Sequence, residues 1–270
     1  MVFRMTTIIS SGEIRKIISN TDMSNTNITK NISDLKCRLD EFFSDDSDED
    51  VVYLQQILNH HFLPFKRVCV IGGLVRDFAR VGRDGFNSDV DLVVDAPQSD
   101  VKTLAEKLSA EENVFGGFST KIGRWKIDFW AMENTWAFRN NLIKVNSLED
   151  VINCTFFDWD SVAYDLKNRR VICSENYLEK IRSNILEINL LPNPSPLGNL
   201  LRAVRRLILW NARAGKVLTQ FIKERLDEPA FSYVKKKELE LYKNPVSLKW
   251  KNVNDARKEI FAKKEGEKYG

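Results

Sequence analysis

Two short segments of the chain carry residues whose types and spacing could do chemistry together. Gly72 and Gly73 follow an apolar run, and Asp89 and Asp91 open the next one. A glycine pair lets the backbone approach phosphates closely because neither residue has a Cβ. Alternate residues of a strand face the same side, so the two carboxylates converge and repel unless a cation such as Mg²⁺ lies between them. The pattern indicates transfer of a phosphoryl or nucleotidyl group.

The elements that must position these residues predict an α+β fold in three segments. Residues 1–63 read as a helical extension that contains an acidic run, residues 64–175 as a unit of strands and helices, and residues 176–270 as a helical, basic domain. Strands are predicted at Val68–Ile71, Asp89–Val94, Phe118–Ile122, Lys126–Met132 and Arg169–Cys173. Helices are predicted at Ser11–Ile18, from a cap at Ser33 and Asp34, and at Asp50–Phe62, Asp100–Ser109 and Leu178–Ile188.

A further helix is predicted from Leu197 to Ala214, closed by Gly215. At about 100° per residue, four arginines fall within an arc of about 100° and face away from the apolar side. These residues are Arg202, Arg205, Arg206 and Arg213.

Charge is distributed unevenly along the chain, although the net charge is only +3. From Leu200 to Gly270 there are 18 Lys and Arg against 9 Asp and Glu, which favours a polyanionic partner or a solvated lysine-rich surface. The four cysteines are scattered and the two histidines are adjacent, so a zinc site is not expected. With no apolar run of about 20 residues and no leader pattern, we expect a cytoplasmic protein that does not enter the membrane.

The motif itself resembles a known signature. The segment Gly72–Asp77, with Asp89 and Asp91 beginning twelve residues later, resembles the poly(A) polymerase/tRNA CCA-adding nucleotidyltransferase family of the DNA polymerase β-like superfamily. Thr155–Tyr164 lies where that family has an Arg-Asp-Phe-Thr-x-Asn-Ala-x-Ala-Tyr segment, and Leu200–Arg206 looks like its Leu-Arg-Ala-x-Arg-Phe helix. The resemblance implies a polymerase β-like head followed by part of a helical neck.

The chain also departs from the family pattern. Thr155 and Phe156 replace the arginine and aspartate of the second segment, and Asp160 takes the asparagine position. The Glu-Asp-x-x-Arg element with which CCA-adding enzymes select CTP and ATP is not found. We therefore expect a compact, divergent relative rather than a housekeeping CCA-adding enzyme.

The resemblance implies that Asp89 and Asp91 hold two Mg²⁺ ions, with Mn²⁺ as a substitute. Asp128 is the expected third carboxylate, on an adjacent strand, where it would bind metal and help activate the nucleophile. The alternative for Asp128 is an exposed strand residue paired with Lys126 or Arg124. Glu133 is a weaker candidate for the same role, and Asp89 and Asp91 have their own alternative as a surface turn before a strand.

Nucleotide and RNA contacts are implied for a second set of residues. The amides of Gly72 and Gly73 are expected at the phosphates, and Arg76 either contacts phosphate or pairs with Asp77. Asp158 and Asp160 either line the nucleotide pocket or cap a helix. Arg202 and Arg205 are expected to bind the nucleotide, and Arg206 and Arg213 the RNA, unless these arginines form a solvated face. A base could stack on Trp125, Trp130, Trp136 or Phe138, although core packing is the competing role.

The sequence hypothesis is thus a Mg²⁺-dependent nucleotidyltransferase that moves NMP from an NTP to a hydroxyl and releases pyrophosphate. The expected acceptor is the 3′ end of an RNA such as tRNA. Two alternatives stay open: transfer to a protein or small molecule, and a catalytically silent nucleotide- or RNA-binding regulator.

Overall fold

The computed structural model describes residues 27–86 and 88–262 of the chain. The helix predicted at Ser11–Ile18 lies outside these residues. Within them, a seven-stranded mixed sheet is flanked by helices and followed by a helical C-terminal part. The α+β class predicted from the sequence is confirmed.

The sheet supplies the frame of the molecule. Its strands, in chain order, are β1 (Val68–Ile71), β2 (Val90–Val94), β3 (Glu111–Glu112), β4 (Phe118–Ile122), β5 (Trp125–Ala131), β6 (Val162–Asp165) and β7 (Arg170–Cys173). Their order across the sheet is β3-β4-β5-β2-β1-β6-β7. β2 and β5 run parallel, and the other neighbours in this sheet are antiparallel. The central strands β1 and β2 are apolar runs because they are covered on both faces.

Helices precede, separate and follow the strands. They are α1 (Ile32–Asp40), α2 (Glu49–Ile57), α3 (Gly73–Arg80), α4 (Gln98–Lys107), α5 (Trp136–Arg139), α6 (Tyr177–Arg182), α7 (Pro196–Leu209), α8 (Lys216–Arg225), α9 (Glu228–Leu241) and α10 (Val253–Ala262). α1 and α2 each continue into a π-helical turn. The cap of α1 is Asn31, whose side chain accepts a hydrogen bond from the amide of Asp34 at 2.8 Å. The cap therefore lies two residues before Ser33, and the prediction of a cap at Ser33 and Asp34 is wrong.

A continuous hydrophobic core joins the N-terminal helices, the sheet and the C-terminal helices. Its buried members include Leu39 from α1, Phe129 from β5 and Leu207 from α7. Phe42 packs edge-on against Phe78 of α3 with the ring centroids 4.9 Å apart. This one core includes residues from all three predicted segments. The division of the chain into three domains therefore stays a prediction.

Two predicted helices end earlier than their apolar spacing indicates. The helix predicted to reach Ile188 ends at Arg182, and Asn184 then adopts a left-handed conformation with φ of 53°. The short strand β8 (Ile185–Leu186) follows and pairs in parallel with β9 (Arg213–Ala214). A left-handed residue stops a helix, and asparagine tolerates this conformation better than most residues.

The helix predicted over Leu197–Ala214 ends in the same way. α7 stops at Leu209, and Asn211 is left-handed with φ of 53°. Arg213 therefore belongs to β9 and not to the helix. Gly215, expected to close the helix, instead precedes the first residue of α8.

None of the helices within the described ranges combines the length and the apolarity that a bilayer crossing requires. The four cysteines are free thiols, and Cys69 is buried in β1.

Candidate active site

The candidate site is built on the parallel pair β2 and β5. In its register Asp91 lies opposite Asp128, while the flanking pair of Val90 and Ile127 is fully buried on the other face. Asp89 immediately precedes β2 and shares the face of Asp91 because strand side chains alternate. The three predicted carboxylates are therefore brought together on one face.

A lysine joins this acidic cluster. The Nζ atom of Lys126 lies 3.1 Å from Oδ2 of Asp89 and 2.6 Å from Oδ2 of Asp128. The pairing with Lys126, which the sequence leaves open as an alternative for Asp128, is present in the structure. A single ammonium group thus occupies the position between two carboxylates where a metal ion is expected.

The electrostatics of Asp91 show an excess of negative charge. Burial and the nearby charges of Asp128 and Asp89 raise the pKa of Asp91 to about 8. Within the described ranges, no three acidic, histidine or cysteine side chains are preassembled as a metal site. The donors are nevertheless hard oxygen ligands that repel one another, and a divalent cation such as Mg²⁺ would relieve that repulsion. The residues fit the metal in chemistry: Asp89, Asp91 and Asp128 would supply its oxygen ligands.

The glycine turn connects β1 to α3 beside the carboxylates. Gly72 has φ of 71° and ψ of −117°, a backbone conformation that favours glycine. Its amide donates to the carbonyl oxygen of Val162 at 2.9 Å. A Cβ at Gly73 would lie only 2.9 Å from Oγ of Ser88, so a side chain at this position would require Ser88 to shift. Ser88 in turn donates to Oδ2 of Asp77 at 2.5 Å.

Arg76 is buried and already has anionic partners. Its Nε and Nη2 atoms donate to Oδ1 of Asp77 at 2.9 and 2.7 Å, and its Nη1 atom donates to Asp160. Burial opposes the charged form, but the charges of Asp77 and Asp160 raise the pKa of Arg76 above its ordinary value. Of the two roles left open by the sequence, the structure shows the pairing with Asp77.

Asp160 bridges the sheet-bearing part and α7. It accepts hydrogen bonds from Arg76 of α3 and, at 2.6 Å, from Nη1 of Arg206 of α7. Burial alone would raise the pKa of Asp160, but the charges of Arg206 and Arg76 outweigh it and lower the pKa to about 2. Burial lowers the pKa of Arg206 to about 10. Asp160 is therefore an ionised link between two guanidinium groups.

An aromatic stack reinforces the same junction. The rings of Trp159 and Trp210 are 5.8 Å apart and nearly parallel, at 11°. The guanidinium carbons of Arg80, Arg76 and Arg206 lie 4.0, 4.8 and 5.0 Å from the Trp210 ring centroid. Such cation–π contacts stabilise buried guanidinium groups that lack full hydration.

These elements surround a cleft of about 640 Å³. The expected site residues that line it are Gly72, Gly73, Arg76, Asp89, Asp91, Asp128, Asp160, Arg202 and Arg206. Asn199 lines it as well and accepts a hydrogen bond from Nε of Arg202 at 3.1 Å. The cleft therefore has an acidic end at β2 and β5 and an arginine-bearing wall on α7.

Two arginines predicted for this wall lie elsewhere. Arg205 is buried against α9, where it forms an ion pair with Glu238 and donates to the carbonyl oxygen of Asn244 at 3.1 Å. Arg213, carried away by the end of α7, donates to the carbonyl oxygen of Ser183 at 3.2 Å. The prediction that both share one face with Arg202 is wrong. Arg205 sits at the edge of the arc and turns to its buried carboxylate partner.

Only two of the four aromatic candidates line the cleft. Trp130 and Trp136 line the cleft, whereas Trp125 is buried and donates to the carbonyl oxygen of Asp50 at 2.7 Å. Phe138 packs against the smaller core cluster. Asp158 accepts a hydrogen bond from the amide of Glu187 at 3.0 Å, so its carboxylate binds a backbone group.

The cleft residues that sequence reasoning missed include Asn199, Tyr242 and, above all, Ser88. The position of Ser88 directly before Asp89 is a signal that could have drawn attention to it. No local pattern marks Tyr242, which reaches the cleft from the end of α9.

No protein-family profile matches the chain, and no curated protein matches it in sequence. Its fold is similar to solved CCA-adding enzymes. The Thermotoga maritima CCA-adding enzyme complexed with tRNA aligns with a TM-score of 0.55 at 18% identity, over 87% of this chain and 54% of that one. A CCA-adding enzyme in complex with CTP aligns with a TM-score of 0.52 at 20% identity, over 82% and 53%. A complex with ATP gives 0.52 at 20% identity, over 81% and 52%.

The chain spans about half the length of these solved structures. At such identities the likeness shows the fold, a mixed-sheet head followed by helices. The family resemblance predicted from the Gly-Gly and Asp-x-Asp motif is confirmed at that level.

Proposed function

We propose that the protein is a metal-dependent nucleotidyltransferase that transfers NMP from an NTP to a hydroxyl group and releases pyrophosphate. One observation carries the proposal: Asp91 and Asp128 are register partners, with Asp89 beside them, at the end of a cleft that also contains the glycine turn. Neighbouring carboxylates repel one another and do not contribute to packing. Nucleotidyl transfer, in contrast, needs both a carboxylate cluster to hold the metal and a glycine turn to hold the phosphates.

The triphosphate would lie at the start of α3. The amide of Gly72 is engaged by Val162, so the amide of Gly73 and the positive end of the helix are the groups proposed for phosphate contact. Arg202 on the opposite wall supplies a guanidinium for the same anion. The cleft, at about 640 Å³, lies within the range of nucleotide-sized pockets.

Asp89, Asp91 and Asp128 would hold the divalent cation, which when bound activates the attacking hydroxyl and offsets charge on the leaving pyrophosphate. Asp128 is also placed to accept the proton of that hydroxyl, since it lies on the same face as Asp91. Asp160 engages both Arg76 of α3 and Arg206 of α7, and so holds these two sides of the cleft together.

The positive charge of the C-terminal part of the chain favours RNA as the acceptor. The stretch from Leu200 to Gly270 has 18 basic against 9 acidic residues, and it begins within α7, which provides one wall of the cleft. A solved CCA-adding enzyme with the same fold is complexed with tRNA. We therefore propose the 3′ end of a tRNA-like RNA as the acceptor.

The test is labelling of total RNA by the purified protein with Mg²⁺ and each of the four labelled NTPs. Asp91→Asn and Asp128→Asn should each abolish label transfer and pyrophosphate release. Asp95→Asn is the matched control, because Asp95 follows the far end of β2 and pairs with Lys66 at 3.4 Å, away from the cluster.

The outcomes separate the alternatives. Product that RNase destroys supports an RNA acceptor, and product that survives RNase supports a protein or small-molecule acceptor. Binding of NTP without pyrophosphate release supports a silent regulator. Transfer that persists in the Asp91→Asn, Asp128→Asn double variant contradicts the proposal altogether.

A further inference from the structure

We propose that Lys126 is a built-in competitor for the divalent cation: its ammonium group occupies the cation position between Asp89 and Asp128 and must leave before the metal binds. The proposal rests on the proposed function, because it concerns the same cluster. It goes beyond that function because it proposes that Lys126, which is not a metal ligand, lowers the affinity of the site for the metal.

The position of Lys126 follows from the backbone. The parallel register of β2 and β5 pairs Val90 with Ile127 and Asp91 with Asp128. One step earlier, the same register brings Asp89 opposite Lys126. Alternation along β5 places Lys126 on the face of Asp128, so the ammonium is directed into the cluster by two strands together.

The contacts show that one cation serves two carboxylates. Nζ of Lys126 is 3.1 Å from Asp89 and 2.6 Å from Asp128. A divalent cation that used these same oxygens could not share the position with an ammonium group. Metal binding therefore has to displace Lys126, and the free energy of its two ion pairs is subtracted from the metal's binding free energy.

Displacement is feasible because Lys126 has access to water. Its side chain is 47% exposed, and the side chain of Asp89 is 37% exposed. Ion pairs at this exposure are weak, so a freely hydrated lysine is only slightly less stable than the paired one. The lysine lowers the affinity for the metal without blocking it.

The test measures Mn²⁺ binding to the full chain without nucleotide, by loss of the electron paramagnetic resonance signal of free Mn²⁺. Lys126→Met should bind Mn²⁺ about tenfold more tightly than the wild type, as expected from the loss of two weak ion pairs. Lys126→Arg, which keeps the charge, should stay close to the wild type. Lys121→Met is the matched control, because Lys121 is the register partner of Lys126 on β4, one strand further from Asp89.

Unchanged or weaker Mn²⁺ binding by Lys126→Met overturns the inference, and so does an equal gain in Lys121→Met. If Lys126→Met does not fold, Lys126→Gln carries the same expectation. Asp91→Asn separates this inference from the proposed function. If it loses Mn²⁺ while Lys126→Met matches the wild type, only the role of Lys126 fails. If it binds Mn²⁺ normally, the metal site itself is wrong and both fail.

Discussion

Asp91 of β2 and Asp128 of β5 face each other across a parallel strand pair, so their separation is set by the backbone of the sheet. Neighbouring strands lie about 4.8 Å apart, which keeps two negative charges close whatever the loops do. The sheet therefore keeps these two carboxyl groups near each other before any ligand arrives, at an electrostatic cost that appears in the raised pKa of Asp91.

We expect the metal-free protein to lose stability as the pH rises. The pKa of Asp91 in the folded state is about 8 against an ordinary value of 3.8, so the folded state binds more protons between these values. The free energy of unfolding should fall with rising pH across this window, and Asp91→Asn should remove that part of the fall. Urea unfolding in the presence of a chelator measures it, with Asp95→Asn as control. A slope that is the same in Asp91→Asn would contradict the expectation.

Asp160 should stabilise the protein in the opposite pH range. Arg206 and Arg76 hold its pKa at about 2, below the ordinary 3.8, so its stabilisation is present above about pH 4 and is lost as the pH falls towards 2. Asp160→Asn should lower the free energy of unfolding at pH 7 by about 3 kcal/mol, because two buried guanidinium groups lose their shared anion. The same substitution should also reduce the fall of the free energy of unfolding between pH 4 and 2. The exposed Asp100→Asn variant is the control. A fall in Asp160→Asn as steep as that of the wild type refutes the assignment.

Gly73→Ala should destabilise the turn through a single close contact. The new Cβ would lie 2.9 Å from Oγ and 3.0 Å from Cβ of Ser88, and such overpacking costs about 1–3 kcal/mol. In a Ser88→Gly background the clashing atoms are gone, so the same substitution should cost less than about 1 kcal/mol. A double-mutant cycle by urea unfolding measures the difference. Equal costs in the two backgrounds would show that something other than Ser88 excludes the side chain.

Arg202 and Arg205 should have opposite phenotypes although they are one helical turn apart. Arg205→Met leaves Glu238 buried without its cation, so the free energy of unfolding should fall by about 3–5 kcal/mol. Arg202→Met should leave stability within about 0.5 kcal/mol and weaken NTP binding instead, because Arg202 lines the cleft. Unfolding and equilibrium NTP titration of the two variants check this. Weaker NTP binding in a fully stable Arg205→Met variant would restore the role expected from the sequence.

The sequence predicted what depends on local spacing. Alternation and apolar runs identify β1, β2, β4 and β5, and the Asp-x-Asp spacing predicts that Asp89 and Asp91 share a face. The resemblance then placed Asp128 on an adjacent strand, which the structure bears out.

What the sequence could not predict depends on distant partners. Arg205 turns from the cleft because Glu238, far along the chain, is buried beside it. Arg213 leaves the helix because Asn211 takes up a left-handed conformation, and no apolar periodicity reports a backbone dihedral angle. The sequence predicts Lys126 only as an ion-pair partner of Asp128, since the parallel register that places it opposite Asp89 depends on the sheet order.

The stacked indoles of Trp159 and Trp210 give this molecule its own optical reporter. One ring belongs to the turn before β6 and the other follows the last residue of α7, so the stack joins the sheet-bearing part to α7. Because the ring centroids are only 5.8 Å apart, the indole transitions should couple, and a skew between their transition dipoles would produce an exciton signal in circular dichroism. A movement of α7 away from the turn before β6 would separate the chromophores, and the signal would record that motion without an added label.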